Sequence, residues 1–569
     1  MNVTPTAPHR ALRHADFPTL TEALDYAATG ETGINFHDLR GKLTLALPYV
    51  ELRAQALDLA RGLLAAGLAP GDRVGLVADT TPDFVRAFFA CQYAGVAPVP
   101  MPLPAPLGGR EAYVAQIARM LGAAAAEAVV VSEEFEAWLT QAAAAAGVPR
   151  VLKLDDLPTG AAGALPEVGP DQTSYLQFSS GSTRAPTGVV VTHRALMANA
   201  VAFTRDGLQV TPADRAVSWL PLYHDMGLIG FLIGPVTSQM SLDLLPTAAF
   251  VRRPLLWLDL ITRHGGSVTY SPTFGYDLCA RRADAAGEVD LSTWRIAGVG
   301  GDMVRPGPLE TFADCFSAAG FRREAFVASY GMAEATLALT MAPLGKGLSA
   351  DVVDVDRMEQ DGVVVSAGEA VERRRSFVRC GPILPGHELQ VRDETGAVLG
   401  EGQVGRIFVR GPSLMREYFR QPEATAAVLS ADGWLDTGDL GYLADGEIAP
   451  TGRSKDLILL NGRNVWPQDL EWTAESGVDG LRSGDVAAIS QGEETEERVV
   501  LLVQCRSSDQ EVRQRITDDV AALMRARHGL DAEVRLVGPR ALPQTSSGKL
   551  SRSKARTLFE SGAFDLVGS

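Results

Sequence analysis

The residues best able to do chemistry in this chain stand in short loops rich in glycine and hydroxyl groups. Gln177-Phe178-Ser179-Ser180-Gly181-Ser182-Thr183-Arg184-Ala185-Pro186-Thr187-Gly188 follows an apolar, strand-like run. Such a turn can offer backbone N–H groups and hydroxyls to phosphate oxygens, although the bare residues also fit a flexible linker. No Lys-Ser/Thr pair follows Gly188, so this is not a Walker A loop, and Gly298-Val299-Gly300-Gly301 lacks the third glycine of a dinucleotide fingerprint. Ser329-Tyr330-Gly331-Met332-Ala333-Glu334 places a carboxylate just past another strand-like run. A magnesium ion suits that position, because it takes one or two carboxylates plus phosphate oxygens; a helix cap is the plainer alternative. In Gly433-Trp434-Leu435-Asp436-Thr437-Gly438-Asp439-Leu440 a carboxylate after a tight turn can accept hydrogen bonds from ribose hydroxyls, or the segment is simply a hairpin. Gly452-Arg453-Ser454-Lys455-Asp456, Asn461-Gly462-Arg463-Asn464 and Pro543-Gln544-Thr545-Ser546-Ser547-Gly548-Lys549-Leu550 add cations in further loops.

These loops need rigid supports. Between about residues 50 and 340, short β-branched runs alternate with helical patterns. Arg73–Val77, Ala128–Val131, Ser174–Phe178, Val189–Val191, Ala216–Trp219, Ser267–Tyr270, Arg295–Val299 and Phe326–Ser329 read as strands. Thr81 as N-cap and Pro82 at the first helical position open a helix that runs to Gly95. This alternation predicts parallel sheets covered by helices, with ligand sites at the carboxyl ends of the strands. The alanine-rich stretch Gly122–Val130 reads as helix. Near Gly386 the texture becomes antiparallel, with Glu388–Arg392 and Arg406–Arg410 as strands and Asp393–Gly396 as a turn. After Gly452 an α+β pattern follows: strands Asp485–Ser490, Arg498–Cys505 and Glu533–Val537, and a helix Glu511–His528 with Val512, Ile516, Val520 and Leu523 on one face. The expected fold is therefore α/β plus α+β: a large N-terminal part of helix-covered sheets with a β-subdomain, and a small, mobile C-terminal α+β domain. The expected division is 1–453 and 454–569.

Composition limits the function classes. The 569 residues, 46% hydrophobic and 21% charged, are ordinary for a globular protein and ample for a buried core. A net charge of −17 argues against nucleic acid or an anionic membrane as a general partner. The five cysteines are scattered with no C-x-x-C pair, which suits reduced intracellular thiols better than a disulfide framework or a zinc site. Met1–Arg13 has no apolar run, and Met226–Val236 is too short to span a bilayer, so a cytoplasmic protein without a transmembrane segment is expected.

The order and spacing of the loop motifs resemble the adenylate-forming superfamily of acyl-CoA synthetases, nonribosomal peptide adenylation domains and luciferases, from about residue 15 to 556. Within it the chain is most similar to fatty acyl-AMP ligases. That likeness rests on Ser218-Trp219-Leu220-Pro221-Leu222-Tyr223-His224-Asp225-Met226-Gly227-Leu228-Ile229-Gly230 and on Tyr330-Gly331-Met332-Ala333-Glu334-Ala335-Thr336. The run Pro98-Val99-Pro100-Met101-Pro102-Leu103-Pro104 supports it too, as does an extra segment of about 345–378 before Cys380-Gly381-Pro382. In that family the insertion accompanies poor use of coenzyme A; as a bare segment it is a surface loop.

The resemblance implies a reaction and a set of roles. A fatty-acid carboxylate attacks the α-phosphorus of ATP and releases pyrophosphate; the acyl group then passes to the phosphopantetheine thiol of an acyl-carrier protein supplied in trans. Ser179, Ser180, Gly181, Ser182 and Thr183 would hold phosphates; Gly301, Asp302 and Tyr330 would border the adenine; Asp439 and Arg453 would hold the ribose; Gly331 and Met332 would belong to the same ATP/AMP site. Glu334 would bind Mg2+, Lys549 and His224 would be catalytic, Lys455 would be the hinge, and Trp219, His224 and Phe274 would line the acyl site. Many superfamily members carry Lys where Thr187 stands, with Arg184 a possible substitute. That departure keeps open a nucleotide-binding pseudoenzyme, beside an acyl-CoA synthetase using free coenzyme A. Carrier proteins are generally acidic, so docking on an acidic ligase requires a local basic surface, for which Arg552, Lys554 and Arg556, or Arg525 and Arg527, are the expected candidates.

Overall fold

Alternating strand and helix runs build two parallel sheets in the computed structural model, which describes residues 11–104, 109–178, 186–460, 463–492, 498–544, 550–564 and 566–567. The larger sheet has eight strands in the order Ala338–Met341, Phe326–Gly331, Ile296–Val299, Val268–Ser271, Arg215–Ser218, Ser241–Leu244, Gly33–His37, Leu43–Pro48. Its six inner strands run parallel and only the two edges are antiparallel. The second sheet is wholly parallel, with Ala97–Met101, Arg73–Val77, Ala128–Val131 and Arg150–Lys153 side by side. Inner strands such as Ile296–Val299 and Ala128–Val131 are buried along their whole length, as parallel strands covered on both faces must be.

Local chemistry explains several element ends. Thr81 accepts a hydrogen bond from the Phe84 N–H and Pro82 follows it, so the helix Pro82–Tyr93 starts where the capping residues place it. Two expectations need correction. Thr173–Phe178 and Gly188–Thr192 do not enter a parallel sheet; they pair with each other as an antiparallel hairpin around the serine-rich turn. Nor is Gly122–Val130 helical throughout. The helix Arg110–Ala123 stops there, Ala125 takes a φ of +44°, and Ala128–Val131 is a strand. Alanine favours helix, but Val129, Val130 and Val131 gain more from burial between two strands.

An antiparallel sheet of Glu388–Arg392, Gly405–Arg410, Leu435–Ala444 and Glu447–Arg453 follows. The inserted segment forms its own hairpin, Ala350–Asp354 with Arg374–Val378, joined through the helix Val355–Asp361. Its Val353, Met358 and Phe377 pack with Tyr442, Ala449 and Trp466. Beyond residue 457 a three-stranded sheet carries two apolar faces by strict alternation. Val499, Leu501 and Val503 face the helices Pro467–Gly477 and Gln510–His528, whereas Val500 and Leu502 face the helix Arg552–Glu560. No helix among the described residues is long and apolar enough to cross a membrane.

Candidate active site

The carboxyl ends of the parallel strands open into a cavity of about 820 Å³. Arg215–Ser218 leads into Tyr223, His224, Asp225 and Met226; Ile296–Val299 leads into Gly300, Gly301 and Asp302; Phe326–Gly331 itself ends at Tyr330 and Gly331. Strand ends leave backbone and side chains unpartnered by the sheet, so this rim is where ligand contacts can be made. Gly301 has a φ of +79°, in the left-handed region that favours glycine, and a Cβ there would meet the flexible end of the Met226 side chain at 2.8 Å.

One end of the cavity is polar. The Tyr330 hydroxyl donates to Asp439 Oδ2 at 2.9 Å, and Arg453 Nε lies 3.4 Å from Asp439 Oδ1. Asp439 and Arg453 are cross-strand partners in the antiparallel sheet, which fixes the pair. Asp436 and Thr437 line the same rim, with Asp436 paired to Arg406 at 2.6 Å. Glu334 receives the Tyr418 hydroxyl on Oε1 at 2.9 Å. Burial pushes its carboxyl above the usual range and the Tyr418 bond partly offsets that. A single carboxylate facing a cavity fits Mg2+ only if phosphate and water supply its remaining oxygen ligands, as is usual for this ion.

The other end is apolar, lined by Phe203, Leu208, Val210, Phe231, Met240 and Met341 among others. Two π-helical stretches, Ala202–Gly207 and Met226–Ile233, supply much of this wall. Widened turns of this kind recur at functional sites. His224 also lines the cavity, and its Nδ1 is 2.5 Å from Asp225 Oδ1.

The structure therefore gathers His224, Gly301, Asp302, Tyr330, Gly331, Met332, Glu334, Asp439, Arg453 and Lys455 around one cavity. Ser179, Ser180, Gly181, Ser182, Thr183 and Lys549 lie outside the described residues. Their neighbours Phe178, Thr187, Leu550 and Ser551 line the cavity. Trp219 and Phe274 do not. Trp219 is 2% exposed and stacks on Phe250 with ring centroids 3.7 Å apart; Phe274 meets its edge at 5.8 Å and is 37% exposed. The chain leaves the strand Arg215–Ser218 so that Trp219 enters the aromatic layer under the helices Thr247–Arg252 and Leu255–His264, away from the cavity. Sequence reasoning missed Tyr418, and also Arg552, which lines the cavity while paired to Glu471 at 2.6 Å and Asp456 at 3.2 Å. Tyr418 carries no local signal, because its partner is 84 residues away in the chain.

Residues 40–419 match the family model for AMP-binding enzymes. The chain belongs to that family. A solved structure from work on fatty acyl-adenylate ligases of E. coli and L. pneumophila superposes with a TM-score of 0.93 at 42% identity, covering 97% of this chain and 100% of that one. The medium-chain-fatty-acid–[acyl-carrier-protein] ligase JamA of Moorena producens is 31% identical over 97% of this chain and 96% of its own. A Caulobacter vibrioides protein with a provisional acyl-CoA synthetase name is 60% identical over 99% of both chains. Within the AMP-binding enzymes this chain is thus an adenylate-forming ligase of the fatty acyl-AMP ligase type, with the mixed α/β architecture expected for it.

Proposed function

We propose that the protein activates a fatty acid with ATP and hands the acyl group to the phosphopantetheine thiol of an acyl-carrier protein. The observation that carries this reading is one cavity lined both by the polar cluster at Tyr330, Asp439 and Arg453 and by the apolar side chains of Phe203 and Phe231, with His224 also on its wall. In the first step a carboxylate oxygen bonds to the α-phosphorus, the bond from that phosphorus to the β-bridging oxygen breaks, and pyrophosphate leaves. In the second the carrier's thiol gives up its proton, its sulfur bonds to the acyl carbon, and AMP leaves. Two anions meet in the first step, so positioning and charge neutralisation must do most of the work.

The roles follow the chain's own chemistry. Asp439, held by Tyr330 and Arg453, accepts from ribose hydroxyls. Gly301, Asp302 and Tyr330 border the adenine, with Gly331 and Met332 in the same nucleotide site. The Ser179–Thr183 turn donates to phosphates, and Glu334 holds Mg2+, which when bound neutralises phosphate charge. Lys549 bridges carboxylate and α-phosphate oxygens as a compact cation on a flexible stem. Lys455, in the turn Ser454–Asp456, is the hinge between parts 1–453 and 454–569. The product enters lipid-initiated polyketide or peptide synthesis.

Fatty-acid-dependent ATP–pyrophosphate exchange tests the first step. Exchange driven by fatty acids and not by amino acids supports the reading; nucleotide binding without exchange refutes it. The name of the Caulobacter relative favours a second reading, transfer to free coenzyme A. Rapid acyl-CoA formation would establish that reading in place of the first.

A further inference from the structure

An acceptor protein must find a surface to dock on, and three of the five cations expected from the sequence to form it are paired with carboxylates. Arg552 is engaged with Glu471 and Asp456, Arg556 lies 3.3 Å from Glu560, and Arg525 lies 3.4 Å from Asp531. A different face keeps its positive charge. The turn after the strand Gly33–His37 and the end of the helix Thr247–Arg252 meet where Arg253 Nη2 donates to the Leu39 carbonyl at 3.1 Å. Arg263 Nη2 donates to the Gly41 carbonyl at 2.8 Å and closes the patch. Leu39 and Val251 are 47% and 57% exposed, and Arg40, Lys42, Arg252 and Arg253, on the same two segments, are all exposed.

The patch carries five cations against two carboxylates, Asp38 and Asp259. The Asp38 carboxylate caps the turn through the Arg40 and Lys42 N–H groups, and Asp259 pairs with Arg263 at 2.8 Å. Among the described residues, Arg40, Lys42, Arg252 and Arg253 have no carboxylate within ion-pair distance. In a chain of net charge −17 this is a local reversal of sign. At physiological salt the Debye length is about 8 Å, so the nearest charges, not the net charge, decide how a docked partner is received.

The patch lies on the far side of the aromatic layer that backs the segment leading into the site. Phe250 precedes Val251 in the same helix and stacks on Trp219, whose carbonyl accepts the Thr247 hydroxyl at 2.8 Å. Trp219 begins the segment that carries Tyr223, His224 and Asp225 into the cavity. A partner seated on Val251–Arg253 is therefore one aromatic layer from that segment. We infer that the Leu39–Arg40 turn and the Val251–Arg253 helix end form the docking surface for an acidic acyl-carrier protein. Leu39 and Val251 would give the apolar centre and the arginines the charged rim, an arrangement that sets both encounter rate and partner choice. This rests on the proposed transfer to a carrier. A membrane is the less suitable occupant, because the apolar part is two aliphatic side chains and not an amphipathic helix.

The test uses the full chain and a fluorescein-labelled bacterial holo acyl-carrier protein in an anisotropy titration. Arg40→Glu/Arg252→Glu should weaken binding at least tenfold and flatten its salt dependence, with Arg40→Ala/Arg252→Ala intermediate. Fatty-acid-dependent ATP–pyrophosphate exchange should be unchanged in both variants, which also reports on their folding. Unchanged carrier affinity in the charge-reversed variant overturns the inference. So does the absence of carrier binding by the unaltered protein, or retention on phosphatidylserine-containing vesicles in place of it. The two readings separate cleanly: lost exchange in the unaltered protein defeats the ligase reading, whereas patch-insensitive binding defeats only the docking surface.

Discussion

Glu475 gives the contact between the C-terminal helix Pro467–Gly477 and the large part a defined pH dependence. Its carboxylate lies 3.5 Å from Arg305, accepts the Gly484 N–H at 2.6 Å, and is almost wholly buried. Burial pushes its pKa up to about 7, against the pull of Arg305. A carboxyl whose pKa rises on docking binds more protons in the docked state, so its contribution is complete below its ordinary value near 4.5 and is lost as pH rises through about 7. Between pH 5 and pH 8 that amounts to at most about 2–3 kcal/mol, or up to roughly 100-fold in the opening equilibrium, because part of the shift comes from Glu471 and the Gly484 turn on Glu475's own side of the contact. Asp469, pushed up to about 6 by burial beside Arg375, acts in the same direction over a lower window. Amide hydrogen exchange over residues 467–477, corrected for intrinsic rates, reads the opening directly. Protection should fall by this factor from pH 5 to pH 8, and Glu475→Gln should remove most of the dependence. Parallel pH profiles for the two proteins would refute the reasoning.

Other consequences are simpler to check. Lys549→Ala should lower pyrophosphate release by about 10²–10³-fold, the scale for removing one preorganised donor, and near-normal release would cancel its assignment. Lys455→Pro should leave adenylation intact but block acyl transfer, since proline fixes φ at the hinge; comparing exchange with thioester yield checks this. Trp219→Ala should cost about 3–5 kcal/mol in urea unfolding for loss of a buried, stacked ring, yet leave the acyl-chain preference unaltered, because Trp219 does not line the cavity. Tyr330→Phe removes the donor to Asp439 and should raise the KM for ATP by about tenfold, as expected for a hydrogen bond to a charged group.

What could be read from the sequence, and what could not, follows from the range of the forces involved. Strand limits such as Arg73–Val77 and the Thr81–Pro82 helix start are set by neighbours in the chain, so they were legible. Gly300, Gly301 and Asp302 were legible as a loop after a strand, whereas Asp439 and Arg453, read as loop residues, stand in paired strands. Side-chain direction was not legible. Trp219 sits in a motif whose later residues reach the cavity, but packing against Phe250 turns it the other way. Tyr418 reaches Glu334, and Arg552 reaches Glu471, across long stretches of chain. Val129–Val131 shows the same limit in reverse, since a tertiary sheet overrides the helical preference of the alanines beside it.

The central claim is that one cavity makes an acyl-adenylate whose acyl group is destined for a carrier-bound thiol. Mass spectrometry of the thioester formed from ATP and a fatty-acid panel, with holo acyl-carrier protein and coenzyme A offered in competition, tests it most directly. Acylated carrier with little acyl-CoA is the predicted result. Predominant acyl-CoA would contradict it.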